Sequence, residues 1–535
     1  SCVPTGGACT RSLSPASKRR MRLPEPATRR LIFAGLLGAA SVAAFAPLDW
    51  FVIAWITHAG LFVLLSQEAE TSDASDTGRR PRRGALIGGA FGFGFFITGV
   101  SWIYVSLSTF GGMPSALAAL ATLLFCAFLS LYPALAGALF VHHAPARWWQ
   151  RALLLASLLT LGEWLRGWIF TGFPWLAFGY SQTPPSPLAS YVPLFGVFGA
   201  SLLTLFVGAL LGESLQRFRA APGPSRAAIA TPTLLVLAVL AGGALLREIR
   251  WTAPQGSPVS VALLQGNVAQ DLKWRPEKFI ESLRTYYRLA LENPAQLTVL
   301  PETALPAFLD NVPREYLDEL RKLADRERGD LIFGIVVGNH ENYSNSAVSV
   351  GASPEQHYRK SHLVPFGEFI PPGFSWFLKL ADIPMSSFTP GASPQAPMAL
   401  AGQRVAVNIC YEDAFGEEII RSLPDATLLV NISNVAWFGD SLAPAQHLQI
   451  ARIRALETGR MMLRATNTGM TAIVDTRGNV QSVLPPFTRG ALRGEVVGHT
   501  GATPYVRWGN WPAITFALCI SLLSLAVPGR RKAVS

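Results

Sequence analysis

Three residues that could do acyl chemistry together stand directly after strand-like stretches. Glu302 ends QLTVLPE, Lys360 follows EQHYR, and Cys410 ends RVAVNIC, just before the helix start YEDAFGEE. A thiolate can attack a carbonyl and split one acyl transfer into two easier steps. A carboxylate can take the thiol proton, and an ammonium can face the oxyanion that develops. Singly, each has an ordinary reading: Cys410 as a buried thiol, Glu302 as a helix N-terminal carboxylate, Lys360 as a solvated loop charge. Their order, each at the end of an element, is what points to chemistry. Strand ends of α/β folds converge on a crevice, and a strand-to-helix turn offers backbone N–H groups to a thiolate or oxyanion. The N–H of Tyr411 is the candidate second donor to that oxyanion.

The elements that position these residues alternate in type. Residues 259–267, 296–302, 330–339, 344–350, 355–359, 404–410, 427–433 and 470–476 read as strands, and 276–293, 313–328 and 444–459 as helices. Such alternation predicts a layered α/β domain over about 250–508.

The rest of the chain is different in kind. Of 535 residues, 50% are apolar and 15% charged, against about 25% charged in soluble domains. Apolar runs of near-spanning length lie at 31–47, 50–66, 85–107, 115–141, 151–171, 190–213, 227–246 and 511–527, with the first two hinged at Pro47. These eight runs predict eight transmembrane helices. The net charge of +11 sits in short clusters (Lys18–Arg20 with Arg29–Arg30, Arg79–Arg83, Arg147 with Arg151, Arg217–Arg226, Arg530–Lys532). Loops 48–49, 108–114 and 172–189 hold no Lys or Arg. Eight spans with a cytoplasmic N-terminus place every cluster on the cytoplasmic side and the α/β domain outside, on the periplasmic face. Clusters between spans fit membrane topology and not nucleic-acid binding. The five cysteines and eight histidines show no metal-ligand spacing, so neither a metal nor a disulfide framework is expected, and nothing calls for a cofactor.

The expected organisation is a tail over 1–30, helices one to seven over 31–249, the α/β domain over 250–508, and a last helix with a cytoplasmic tail over 509–535. The tail is expected to be disordered, and its residues 1–20 read as an upstream extension. Glu163 and Arg166 lie three apart in the fifth run, where charge is costly. They are expected to pair or to meet a lipid head group. The segment PFGEFIPPGFSWFLKLADIPMSSF (365–388) is apolar for a loop, with Phe366, Phe369, Phe374, Trp376, Phe377 and Leu378. Beside a membrane it reads as a flap that dips into lipid and admits an acyl chain.

LPET around Glu302, YRKSHLVPFGE around Lys360 and ICYED around Cys410 resemble the three signatures of the nitrilase (carbon–nitrogen hydrolase) superfamily. The resemblance implies a four-layer α-β-β-α sandwich and a Glu302–Lys360–Cys410 triad. QGNVAQDLKW (265–274), KSHLVPFGEFIP (360–371), NISNVAWFGDSLAPAQH (431–447), RATNTGMTA (464–472) and, in the membrane portion, EWLRGWIFTGFPW (163–175) resemble the apolipoprotein N-acyltransferase family more narrowly, over about 30–527. That resemblance implies a phospholipid acyl donor, such as phosphatidylethanolamine. It also implies an acceptor that is the α-amine of a lipoprotein's diacylglyceryl-cysteine, and a multi-pass monomer in a bacterial inner membrane. It makes Glu368 a supporting acid that orients Lys360 and Glu412 a supporting residue near Cys410. Trp274, Tyr411 and Trp437 fall near the lipid path, as do Phe366 and Trp376 of the flap. Two other readings compete: a tethered amidase that releases small acids to water, and a transporter with a degenerate sensor domain. The apolar flap argues against the first. The complete triad, with few intramembrane charges and no internal repeat, argues against the second.

Overall fold

The structure is a computed structural model that describes residues 26–70, 79–220, 226–270, 273, 275–371, 373 and 387–526. Residues 1–25, Trp274 and Trp376, with most of the predicted flap, lie outside the described residues.

The chain begins with helices α1 (Pro26–Ser41), α2 (Val52–Glu70), α3 (Arg80–Gly99), short α4 (Trp102–Val105), α5 (Ser115–His143), α6 (Trp148–Arg166), α7 (Val192–Ala220) and α8 (Arg226–Leu246). The first two runs are thus separate helices on either side of Pro47. Among the described residues four helical stretches are long and apolar enough to cross a membrane, or five if α3 and the bent segment after it count as one span. This is fewer than the eight expected. The helix α6 falls short because Gln150, Arg151, Glu163 and Arg166 interrupt it, while 230–246 and the C-terminal 511–524 form shorter apolar helices. Members of the described basic clusters do gather: Arg30 and Arg83 pair with Glu68, and Arg151 with Glu70 and Glu213, so ends of α1, α2, α3, α6 and α7 meet at one end of the bundle.

The α/β portion runs through β1 (Thr252–Gln265), α9 (Pro276–Glu292), β2 (Leu297–Val299), α10 (Arg314–Arg326), β3 (Asp330–Gly338), β4 (Tyr343–Gly351), β5 (His357–Arg359), β6 (Met398–Leu400), β7 (Gln403–Ile409), α11 (Gly416–Ile419), β8 (Leu428–Ser433), α12 (Ala443–Thr458), β9 (Met462–Thr466), β10 (Ala472–Val474), β11 (Val480–Val483) and β12 (Gly490–Gly501). Helices α13 (Pro504–Trp508) and α14 (Trp511–Ala526) follow. Two six-stranded sheets form, ordered β12-β1-β2-β3-β4-β5 and β11-β10-β9-β8-β7-β6. Each has a parallel trio at its centre, β1-β2-β3 or β7-β8-β9, with antiparallel neighbours outside.

Side chains alternate along each strand, so each sheet presents two apolar faces. Val261, Leu263 and Val299 of one sheet meet Val407, Val430 and Leu463 of the other in a shared core. The outer face of the first sheet packs on α9 and α10 through Leu283, Tyr286 and Leu320. The outer face of the second packs on α12 through Leu448, Ala451 and Ala455. This is the expected α-β-β-α order. Four strands, β6, β9, β11 and β12, were absent from the sequence reading. The buried Arg464 within β9 and the glycines and charges of β12 (GALRGEVVGHTG) break the alternation that marks a strand.

Helix α12 also joins the two portions. Gln446 accepts from Trp102 Nε1 at 3.1 Å and Trp175 Nε1 at 2.8 Å and donates to the Gly99 carbonyl at 3.0 Å. Gln449 accepts from the Ala46 N–H and donates to Asp49 Oδ1, and Glu457 Oε1 accepts from the Val197 N–H. Tyr411, Ile450 and Ile453 belong to the same apolar core as α2, α3 and α7. Glu163 and Arg166 both bond to backbone, and Glu163 also meets the Ser201 hydroxyl. Glu163 takes the Phe178 N–H at 2.9 Å, and Arg166 donates to the Phe173 and Trp175 carbonyls. The two remain electrostatically coupled, as their spacing suggested, but their described hydrogen bonds brace the 173–178 loop, because a buried loop must satisfy its main-chain groups.

Candidate active site

The turns after β2, β5 and β7 bring the three predicted residues to one edge of the sandwich. Glu302 approaches because β3 carries Gly334 at its middle. A Cβ there would lie 2.6 Å from Glu302 Cα and 2.5 Å from the Thr303 nitrogen. Thr303 has φ 45° and Cys410 φ 55°. Both are non-glycine residues in the left-handed region, a strain that surrounding structure must hold in place.

Lys360 is 1% exposed. Its Nζ lies 2.9 and 2.8 Å from the two Glu368 oxygens and 3.5 Å from Glu302 Oε1. Burial pulls its pKa down, but Glu368 and Glu302 outweigh that, and it stands above the ordinary lysine value. Lys360 is therefore a fixed cation. Glu368 also accepts from the Val364 N–H at 2.9 Å and from Asn345 Nδ2 at 2.9 Å. The same Asn345 amide donates to Glu302 Oε1 at 2.7 Å, and the Asn434 N–H donates to Glu302 Oε2 at 2.7 Å. Both oxygens of Glu302 are thus held in fixed directions. For Cys410, burial pushes the thiol well up, Glu302 adds to this, and Lys360 works against both. The resting group is a thiol that needs a base.

The Cys410 turn is fixed from below. Its carbonyl accepts from Asn431 Nδ2 at 3.1 Å and His447 Nε2 at 3.2 Å. His447 Nε2 also donates to Asp413 Oδ1 at 2.7 Å, and Arg464 Nη1 donates to Asp413 Oδ2 at 2.9 Å and Asn431 Oδ1 at 2.6 Å. Burial, then Arg464, lowers the His447 pKa, against the opposite pull of Asp413. Glu412 bridges two corners of the site. It accepts from the N–H groups of Ile409, Ser361 and His362 and from the hydroxyls of Tyr358 and Ser361. It thus ties the cysteine turn to the loop that carries Lys360.

Among the remaining expected residues, Tyr411 turns its ring away towards Trp175, Phe415 and His362. Trp437 lies 6.4 Å, ring to ring, from Phe110, which follows α4. Phe366 has φ 61° and donates its N–H to the Phe369 carbonyl. Asn345, Asn431, Asn434, Asp413, His447 and Arg464 were missed from sequence. A polar residue inside an apolar strand, such as Asn345 in YSNSAVSVG or Asn431 in LLVNIS, was the available signal. Among the described residues no His/Cys/Asp/Glu group could hold a metal ion.

Two six-stranded sheets between helices, with a cysteine, a glutamate and a lysine at one edge, define a carbon–nitrogen hydrolase domain, and the family model for Carbon-nitrogen hydrolase matches residues 260–505. The model for the Apolipoprotein N-acyltransferase N-terminal domain matches residues 37–210 of the helical portion. The chain is 47% identical to an apolipoprotein N-acyltransferase of Nitrosomonas europaea, over 94% of this chain and 99% of the relative. It is 44% identical to one of Ralstonia nicotianae over 92% of each, and 43% identical to one of Chromobacterium violaceum over 98% of each. The chain belongs to the apolipoprotein N-acyltransferase family and is an acyltransferase.

Proposed function

We propose that this enzyme moves an acyl chain from a phospholipid to the α-amine of an N-terminal diacylglyceryl-cysteine through a thioester on Cys410. The observation that supports this reading is where the cysteine turn lies. Glu302, Lys360 and Glu368 are buried behind it. On its other side Tyr411 and Ala414 bond to the helical portion, Tyr411 by its hydroxyl to the Gly172 carbonyl and Ala414 by its carbonyl to the Tyr180 hydroxyl. A nucleophile seated against membrane helices can meet an ester that stays in lipid.

In the first half-reaction Glu302 takes the Cys410 proton as sulfur attacks the ester carbonyl. Lys360 and the Tyr411 N–H face the oxyanion. Collapse breaks the ester C–O bond, the Glu302 proton goes to the leaving oxygen, and a lysophospholipid departs. In the second, the acceptor amine attacks the thioester and gives its proton to Glu302. The C–S bond then breaks, the amide is released and Cys410 regains a proton. Glu368 holds Lys360 in place, and Glu412 holds the cysteine turn. The family resemblance assigns Trp437 and Phe366 to the acyl path, with Trp274 and Trp376, which lie outside the described residues, as the other candidates for substrate contact. The catalytic portion faces the periplasm, the chain crosses the inner membrane eight times as a monomer, and both termini are cytoplasmic.

Incubation with phospholipid alone tests the mechanism. Mass analysis should find one acyl group on Cys410 and one equivalent of lysophospholipid released as a burst. A diacylglyceryl-cysteine peptide should then discharge it into an amide. Rapid release of free fatty acid without acceptor would reject transfer in favour of hydrolysis.

A further inference from the structure

One buried cation near the site has no place in that mechanism. Lys273, between β1 and α9, is 3% exposed. Its Nζ donates to the main-chain carbonyl of Glu302 at 3.1 Å. Among the described residues no carboxylate forms an ion pair with it within 4.0 Å. Desolvating an ammonium is costly, and this one meets the Glu302 carbonyl at the base of the catalytic turn. The loop that carries it is anchored. Asn467 binds the N–H groups of Asn267 and Val268 through its two oxygens, and Gln270 accepts from Asn434 Nδ2. Asn434 in turn gives its N–H to Glu302. The ammonium is therefore aimed at the base's own turn.

The charges at the site give this placement a reason. Glu302 and Glu368 against Lys360 leave one excess negative charge. Proton transfer from Cys410 to Glu302 moves that excess charge onto the sulfur without adding to it. Lys273 balances it in both states, facing Glu302 at rest and Cys410 once the thiolate forms. Among the described residues, the titratable groups facing it are Glu302 after β2 and Cys410 after β7. Lys360 and Glu368 lie beyond Glu302, and Arg464 of β9 couples to both Cys410 and Glu302 while pairing with Asp413.

We infer that Lys273 is a positioning residue for the acyl transfer: it fixes the Glu302 turn and supplies the positive field in which the Cys410 thiolate forms. The inference rests on Cys410 being the nucleophile. Burial lowers Lys273 to about 8, with Glu302 and Cys410 pulling the other way. The charge is therefore present at neutral pH and is lost as pH rises through about 8.

The test is alkylation of Cys410 by iodoacetamide in the full-length enzyme, which reads the thiolate without requiring acyl transfer. Lys273→Gln keeps a donor to the Glu302 carbonyl but removes the charge. It should slow alkylation at pH 7 at least tenfold, abolish the component of the native pH profile near 8, and lower kcat with KM for phospholipid little changed. Lys273→Arg should recover rates to within a few-fold. A native alkylation rate and pH profile in Lys273→Gln would overturn the inference. If that variant does not fold, a near-native alkylation rate at pH 7 in Lys273→Arg, with a pH profile that lacks the component near 8, would support it, because arginine does not titrate there, and an unchanged component would overturn it. Full activity in Cys410→Ala would instead reject the nucleophile, so the two failures are distinguishable.

Discussion

The hydroxyl of Tyr411, the residue after Cys410, donates to the carbonyl of Gly172 at 2.8 Å across 239 positions of sequence. Gly172 lies in the loop that follows α6, so the side chain next to the cysteine is fastened to the helical portion while its N–H stays beside the sulfur's turn. Removing only that bond separates the two roles. Tyr411→Phe keeps the ring against Trp175 and Phe415 and should cost about 0.5–1.5 kcal/mol of stability. The lysophospholipid burst should fall by more than stability alone explains. A burst of native rate would show that the bond holds the domains together without tuning the cysteine turn.

Gln446 should behave as a structural tie. Replacement by leucine strands the indole N–H groups of Trp102 and Trp175, both buried. Each stranded donor costs roughly 1–3 kcal/mol. Thermal unfolding in detergent should fall clearly, while iodoacetamide still reaches Cys410 in the folded fraction. An unchanged unfolding temperature would contradict the tie.

Asp413 neutralises Arg464 beneath the cysteine, with both side chains almost fully buried. Asp413→Asn leaves the guanidinium without its carboxylate, and breaking a buried pair costs roughly 3–5 kcal/mol. Adding Arg464→Met should restore much of that stability without restoring turnover, because His447 and Asn431 would have lost the groups that orient them towards the Cys410 carbonyl. If the double variant were no more stable than the single one, the loss would lie in packing and not in charge.

The charge asymmetry also yields a topology prediction. A cysteine introduced at Pro254, on the exposed start of β1, should react with membrane-impermeant reagents only from outside the cell. A reporter active outside when fused at the C-terminus would defeat the eight-span arrangement.

Much of this was legible from sequence for local reasons. Glu302, Lys360 and Cys410 end strands whose apolar runs are visible in any window, and α9 and α10 declare themselves by a helical period. The basic clusters are short-range features too, which is why their gathering at one end of the bundle was expected. Strand β12 was not legible, because its pairing partner β1 lies more than two hundred residues away and its own residues alternate poorly. Glu163 and Arg166 are coupled as their spacing suggests, but their bonds to the 173–178 loop were not legible, because spacing along a helix says which side chains can meet, and not which buried main-chain groups need a partner. The roles of Asn345, Asn434 and Lys273 belong to tertiary structure alone. Each is an ordinary residue in its own segment, and it matters only because the fold carries its polar atom to an oxygen of Glu302. Sequence thus determined which groups could react, since that is set by their chemistry. The packing of the two sheets decided which neighbours hold them, since charge and direction in a buried site depend on contacts between distant parts of the chain.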